Sequence, residues 1–363
     1  MNEVPASKDS FPQTTITRDR TEWIDIFKGV AIVMVLLGHS GSPVTLYIYL
    51  FHMSAFMFIS GFTCNVSKYS AFAYVKRKVQ TILIPYILIN LLYMLLFYGF
   101  RLLGLLSYIQ ENGQFSLVQS AANFVKYQST PDLGGATWFL AVLFSFEIIY
   151  MVIYKVFSKL KFEKYAPFFG LIVGLLGYYL CINAPNLYFL FDLSLYGILF
   201  YSLGVIFKKY NVFTEKIDPK PMFILSVFVI ICFRNFGYIN WPTRTFDLPI
   251  NLITSICGIY LLYRFSRFLA NYAAAKKPFA FLGKITFCIL TLHFAVFKII
   301  SLVLVLLKLY PAEIIKSLVP PNGPYVTWLI YTVFALLICS AISVIAKRNR
   351  VLNYVVNAKW NRT

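Results

Sequence analysis

The sequence predicts an all-α, polytopic integral membrane protein with about ten transmembrane helices. Hydrophobic residues make up 59% of the 363 residues and charged residues only 13%, whereas soluble domains carry about 25% charged residues. Apolar stretches close to the 20 or so residues that cross a bilayer recur along the chain. Basic residues concentrate in alternate loops between them. This composition excludes a soluble domain, a coiled coil and a disordered chain.

Ten apolar stretches define the predicted spans. The first follows the charged N-terminal segment, and the last ends before the basic run that begins at Lys347. The turn signal Ala184-Pro185-Asn186 separates the fifth span from the sixth. No internal repeat is visible. The spans cover residues 26–46, 48–66, 80–100, 136–157, 166–183, 187–207, 221–239, 248–268, 285–307 and 324–346.

The distribution of basic residues predicts that both termini are cytoplasmic. With the N-terminus inside, 26 of the 33 lysines and arginines are assigned to the cytoplasmic side, and Lys298 lies within a span. The predicted outer loops hold Arg101, Lys126, Arg234, Arg244, Lys308 and Lys316. Because topology accounts for most of the net charge of +19, no nucleic-acid partner is expected, and the expected partner surface is the lipid bilayer.

Composition divides the chain into three parts. Residues 1–22 form a polar cytoplasmic tail, residues 23–346 a single transmembrane domain, and residues 347–363 a basic cytoplasmic tail. Residues 1–21 lack a signal-peptide pattern, and a multi-pass protein of a bacterial inner or plasma membrane is expected.

The longest outer connection, 101–135, contains an amphipathic stretch at 115–127 that either lies on the membrane surface or merely connects two spans.

Ionisable residues inside a membrane mark functional sites by default. All three histidines of the chain, His39, His52 and His293, fall within predicted spans. Five further ionisable residues at the starts or in the interiors of spans are singled out, namely Asp25, Lys28, Glu147, Asp192 and Lys298. The six cysteines occur singly in apolar surroundings, so neither a metal site nor a disulfide framework is predicted.

Helix geometry links Lys28 to His39. The two are 11 residues apart, or about three turns and 16 Å of rise on one face. A cation at the cytoplasmic boundary and a base near mid-membrane suit an anionic cofactor whose reactive end reaches inward. Alternatively, Lys28 is a topology anchor and His39 a packing residue.

Five motifs resemble, in order, those of the acyltransferase 3 family of membrane acyltransferases, most closely its sugar O-acetylase or fucose 4-O-acetylase-like branch. The matches extend over roughly residues 20–300, which is most of the chain. Two positions depart from the family pattern, which often has arginine at the position of Lys28 and proline at that of Ser54. The motifs are the segment from Arg20 through Lys28 to His39, Phe51–Phe62, Lys76-Arg77-Lys78 with Ile84-Pro85-Tyr86, Trp138-Phe139-Leu140, and Leu282–Thr286 with His293.

The resemblance implies acyl transfer, usually of acetyl from acetyl-CoA, to a hydroxyl of a cell-surface polysaccharide or lipid-linked sugar. A hydroxyl needs a positioned base, and His39 is the candidate, either as base or as acyl carrier. Glu147 is expected to orient its imidazole. The remaining assignments are Lys28, Lys76, Arg77, Lys78 and His293 for acyl-CoA, and His52 and Asp192 for the acceptor sugar.

The polar residues predicted near the middle of the membrane also fit a second class of protein. Ten helices with buried ionisable groups also suit a transporter or flippase of a polysaccharide or lipid-linked sugar. The concentration of histidine and the lack of a visible repeat favour the enzyme. Lys298 is expected to pair with Asp192 or Glu147, because an unpaired charge at that depth costs about 3 kcal/mol.

Overall fold

The computed structural model describes residues 18–110, 113–127, 131–213, 219–235, 239–320 and 326–359. Within these ranges all regular elements are helices, and the one β pairing is an isolated bridge between Asn240 and Thr245. The α-helices are α1 (Arg18–His39), α2 (Thr45–Tyr49), α3 (His52–Phe62), α4 (Ala71–Lys78), α5 (Ile84–Leu102), α6 (Leu106–Ile109), α7 (Leu117–Tyr127), α8 (Trp138–Lys159), α9 (Ala166–Asn183), α10 (Phe191–Lys209), α11 (Pro219–Phe233), α12 (Leu248–Ala270), α13 (Ala273–Lys284), α14 (Thr286–Leu306), α15 (Thr327–Ala346) and α16 (Arg350–Asn357).

Eight helical segments in the described ranges are long and apolar enough to span a membrane, which confirms the all-α polytopic class. Large apolar side chains such as Leu95, Leu306 and Leu337 are exposed on them, as lipid contact requires. Each segment coincides with one predicted span, and the eight are Thr45–Lys68, Ala71–Leu102, Asp132–Lys159, Glu163–Asn183, Tyr188–Lys209, Leu248–Ala270, Thr286–Leu306 and Thr327–Ala346.

The two other predicted spans correspond to α1 and α11. The 15 residues of α11 are fewer than a span needs. Helix α1 carries charges through its first half and packs against α3, α12, α13, α14 and α15. The helix ends at His39, so the expectation that the first span continues to about residue 46 is wrong. Gly41 has a left-handed φ of 72°, and Pro43 follows; together they end the helix.

Loops predicted to be cytoplasmic meet at one end of the bundle, which we call the basic end. Four lysine-to-carbonyl hydrogen bonds join them, with Nζ–O distances of 2.6–3.1 Å: Lys155 to Tyr69, Lys208 to Cys64, Lys209 to Lys164, and Lys359 to Lys284. The loops predicted to be outside meet at the opposite end, where Arg244 pairs with Asp192 and Arg234 donates to the Tyr47 hydroxyl. The structure therefore groups the loops as the charge pattern does.

Glycines set the close approach of two helix pairs. A Cβ on Gly283 of α13 would lie 1.8 Å from the carbonyl oxygen of Asp25 in α1, and one on Gly29 would lie 2.0 Å from that of Phe279. At the crossing of α3 and α10, a Cβ on Gly61 would lie 1.9 Å from the carbonyl oxygen of Tyr201. Only glycine permits backbones to approach so closely. The first crossing brings Lys28 to the end of α13.

The residues that follow α15 fold back onto the bundle. The Asn349 side chain caps α16 by accepting hydrogen bonds from the backbone N–H groups of Val351 and Leu352. The Tyr354 hydroxyl donates to the carbonyl of Gln80, 2.7 Å away. The basic C-terminal segment is thus docked at least as far as residue 359. Within the amphipathic stretch 115–127, residues Leu117–Tyr127 form helix α7 at the opposite end.

Candidate functional site

Two of the three histidines form a pair. Nδ1 of His39 lies 3.0 Å from Nε2 of His293, and the ring planes are within 8° of parallel. Phe294 stacks on the His39 ring with centroids 4.9 Å apart. His293 is fully buried, whereas His39 is partly exposed. The structure therefore brings together residues that are 254 positions apart in the sequence.

The surroundings of His293 fix the tautomers of both neutral rings. Its Nδ1 lies 2.9 Å from the carbonyl oxygen of Ile289 and 3.0 Å from that of Leu290. Since a carbonyl can only accept, this Nδ1 carries the hydrogen and Nε2 is an acceptor. His39 then donates from Nδ1, which leaves the lone pair of the ring on its Nε2. A base or nucleophile needs that lone pair.

His39 lies on the wall of a cavity of about 200 Å³ at the opposite end of the bundle, here called the outer cavity. His52 is also on its wall, with Nδ1 donating to the Ile48 carbonyl 2.9 Å away, so that its Nε2 is an acceptor too. Backbone and side chains of Asn240, Trp241 and Thr243 close one side. The cavity therefore offers two imidazole acceptors among mainly apolar walls.

A second cavity of about 310 Å³, the inner cavity, lies toward the basic end. Three lysines, Lys28, Lys284 and Lys359, are part of its wall. The two cavities share the apolar wall residues Val35, Met53 and Leu290. These three apolar residues therefore lie between a cationic chamber and the chamber that contains His39.

Glu147 contacts a different partner from the one expected. Its carboxylate is buried and forms an ion pair with Lys78. Nδ1 of His39 is bonded to His293, whereas the carboxylate of Glu147 is paired with Lys78. The predicted spans put His39 and Glu147 at similar depths in the membrane, but in the structure the two residues belong to different clusters.

The basic run of α4 does not act as a unit. Lys78 turns inward to Glu147, and Arg77 contacts the ring and hydroxyl of Tyr69. Lys76 is exposed. None of these three side chains is in the described wall of the inner cavity, whereas the half-buried Lys28 is. His293 is likewise absent from the described walls of both cavities and lies behind His39.

Asp192 is completely buried and bound to Arg244. Its Oδ2 accepts from Nε at 2.9 Å and its Oδ1 from Nη2 at 3.2 Å, which is a bidentate pair. Arg244 also donates to the carbonyl of Pro242, 2.7 Å away. Asp192 therefore fixes the loop that closes the outer cavity.

Lys298 pairs with neither Asp192 nor Glu147, contrary to expectation. Its Nζ donates to the carbonyl oxygens of Ile109, Ile315 and Lys316 at 2.6–3.0 Å. These contacts join α14 to the loops of the opposite end.

Sequence reasoning missed three cations of the site, namely Arg244, Lys284 and Lys359. Arg244 and Lys359 carried no signal beyond their place in a loop or tail. Lys284 lies within the late motif, but its charge is also explained by the excess of basic residues in cytoplasmic loops. Each is brought into place by contacts between elements distant in sequence.

The fold and the paired histidines define a polytopic membrane protein with two neighbouring cavities, one lined by lysines and one lined by His39. The sequence matches the acyltransferase domain family, acyltransferase 3, over residues 21–344. That match covers nearly the whole chain, so the protein belongs to this family of membrane acyltransferases. No curated protein and no solved structure matches it.

Proposed function

We propose that the protein transfers an acetyl group from acetyl-CoA at the basic end to a hydroxyl of a cell-surface polysaccharide or lipid-linked sugar at the opposite end. The observation that carries this proposal is the position of His39. It lines the outer cavity, and the inner cavity with its three lysines meets the outer one at Val35, Met53 and Leu290. A thioester arm of the donor enters from one side and the acceptor from the other.

His39 is the proposed general base. The acceptor hydroxyl gives its proton to Nε2 of His39 as its oxygen attacks the thioester carbonyl carbon. The new C–O ester bond forms, the C–S bond breaks, and the departing thiolate takes the proton back from the imidazolium, so that free thiol and neutral His39 are restored. In the alternative two-step route the same Nε2 first carries the acyl group.

His293 is the proposed positioning residue for His39. By accepting from Nδ1 of His39 it holds the lone pair on Nε2, and it stabilises the imidazolium that forms during transfer. This role replaces the acyl-CoA contact first expected of His293. Glu147, predicted as a catalytic residue, instead supports Lys78 beside Lys28 at the basic end.

Acceptor binding is proposed to involve His52 directly and Asp192 indirectly. Nε2 of His52 is available to accept from a sugar hydroxyl in the outer cavity. Asp192 has both oxygens engaged by Arg244, so we infer that it shapes the cavity instead of touching the sugar. The acceptor is expected to arrive from outside a bacterial plasma membrane.

A deletion strain separates this function from that of a transporter or flippase. We expect the surface glycan to lose O-acetyl groups, measured by NMR of the purified glycan, while the amount of glycan is unchanged. Complementation with the wild-type chain is the control and should restore the acetyl groups. Loss of the glycan itself, with normal acetylation of what remains, would contradict the proposal and favour transport.

A further inference from the structure

We propose that Lys28, Lys284 and Lys359 form a binding site for the phosphate groups of the acyl donor at the mouth of the inner cavity, and that the docked C-terminal segment supplies the third cation. This inference rests on the proposed function, because it takes the donor to be a phosphorylated thioester. It goes beyond it by assigning the phosphate contacts to residues outside the basic run of α4.

The three lysines come from three separate elements and converge on one cavity. Lys28 belongs to α1, Lys284 is the last residue of α13, and Lys359 follows α16. All three contribute to the wall of the inner cavity, beside apolar residues such as Ile32 and Phe287. A chamber that is cationic at one end and apolar along its length suits a ligand with a polyanionic head and a long, less polar arm.

The crossing of α1 and α13 places two of the cations. Because Gly29 and Gly283 let the backbones touch, Lys28 and Lys284 lie at the same level of the bundle. Nζ of Lys284 is 3.9 Å from Oδ2 of Asp25, the carboxylate that faces this group. The three lysines outnumber this carboxylate, so the group as a whole is cationic and suits a phosphate.

A buried polar network holds the third cation in place. The Asn357 side chain accepts from the Ser343 hydroxyl at 2.6 Å and donates to the Ser343 carbonyl at 3.1 Å. It also donates to the Asn353 side chain, whose own amide donates to the carbonyl of Lys359. Asn353 and Asn357 are almost fully buried. Because every member of this network is hydrogen-bonded, it holds the backbone of residues 353–359 against α15.

Electrostatics at Lys359 agrees with a preformed anion site. Its Nζ donates to the carbonyl of Lys284, 2.9 Å away. Burial is the main cause that lowers the pKa of Lys359, followed by the nearby charge of Lys347. The carboxylate of Asp25 raises this pKa in part, whereas Lys284 and Lys28 lower it further. Bound phosphate would relieve this repulsion. By contrast, Arg77 and Lys78 already have partners in Tyr69 and Glu147.

Direct binding of coenzyme A to the full-length protein in lipid nanodiscs tests the site. Isothermal titration calorimetry should show that Lys359→Ala and Lys284→Ala raise the Kd for coenzyme A about tenfold or more, the effect of losing one charge-assisted phosphate contact. Lys359→Arg, which keeps the charge, should bind nearly as the wild type does. Lys159→Ala is the matched control, because Lys159 is an exposed cation at the end of α8, outside the described cavity wall.

Pantetheine, which has the arm but lacks the nucleotide phosphates, makes the assignment specific. Its Kd should be the same for the wild type and for Lys359→Ala. The proposal is overturned if Lys359→Ala and Lys284→Ala bind coenzyme A as tightly as the wild type, or if they weaken both ligands equally. Absence of coenzyme A binding to the wild type also overturns it. Coenzyme A binding without acyl transfer would instead refute the proposed function and leave the site intact.

Discussion

At the scale of single residues, the hydrogen bond between His39 and His293 decides what the site can do. The sequence identified both histidines as functional candidates, because ionisable residues are expensive inside a membrane. It did not reveal that they touch, since helical periodicity relates residues of one helix and not residues of two. The sequence therefore predicts a carboxylate, Glu147, as the partner of His39.

Replacing His293 tests its positioning role. His293→Phe should lower kcat about 10²-fold, the cost of a misplaced catalytic group, while the KM for the acyl donor stays near that of the wild type. His293→Gln, which can still accept from Nδ1 of His39 through its amide oxygen, should recover part of kcat. Steady-state kinetics on purified protein separates these quantities. A large rise in KM with unchanged kcat would show that His293 contacts the donor after all.

Asp192 and Arg244 form the other decisive residue pair. Asp192→Ala leaves a buried guanidinium without its partner and should destabilise the protein by about 3–5 kcal/mol. The double variant Asp192→Ala/Arg244→Met should regain much of this loss. Thermal unfolding in a fixed detergent measures both. If Asp192→Ala unfolds like the wild type and only the KM for the acceptor rises, the carboxylate binds sugar directly, as the sequence first suggested.

At the scale of helices, small residues position the site by letting α1 and α13 cross in contact. Gly283→Ala introduces a Cβ that would lie 1.8 Å from the carbonyl oxygen of Asp25. The two helices must separate, at a cost of about 1–3 kcal/mol, and Lys28 moves away from Lys284. We expect a lower melting temperature and weaker use of the acyl donor.

Gly99→Ala in α5 is the matched control for that substitution. Nothing lies within 4 Å of the position a Cβ would take there, so this change should be neutral or stabilise the helix by up to about 1 kcal/mol. Equal melting temperatures for Gly283→Ala and Gly99→Ala would show that the crossing tolerates a side chain.

Helix boundaries illustrate what local signals supply and what they do not. Eight predicted spans coincide with membrane-length helical segments because apolar length is a strong signal in a membrane protein. The end of α1 at His39 was missed, although Gly41 and Pro43 mark it, because the apolar stretch continues past them. Docking of α16 was missed because it depends on partners such as Ser343 and Gln80 in other helices.

At the scale of the whole molecule, the distribution of basic residues among the loops predicts which end of the helix bundle faces the cytoplasm. A reporter that is active only outside the cytoplasm should be active when fused after Lys126 and silent when fused after Lys78, because basic loops are retained inside. The structure groups the basic loops at one end, and the side of the membrane that this end faces is a prediction from the charge pattern. Activity at Lys78 and silence at Lys126 would place the inner cavity outside the cell and reverse the entry of donor and acceptor.

The proposed acyl transfer depends on one atom, Nε2 of His39. A deletion strain complemented with wild-type protein should regain acetylated surface glycan, whereas His39→Gln should not, because Gln forms hydrogen bonds but cannot take a proton at neutral pH. The loss should reach the 10²–10⁴-fold typical of a removed general base, about the range that acetyl quantification can detect. Equal abundance of the two proteins in the membrane is the control. Wild-type acetylation by His39→Gln would contradict the assignment of His39 as base or acyl carrier.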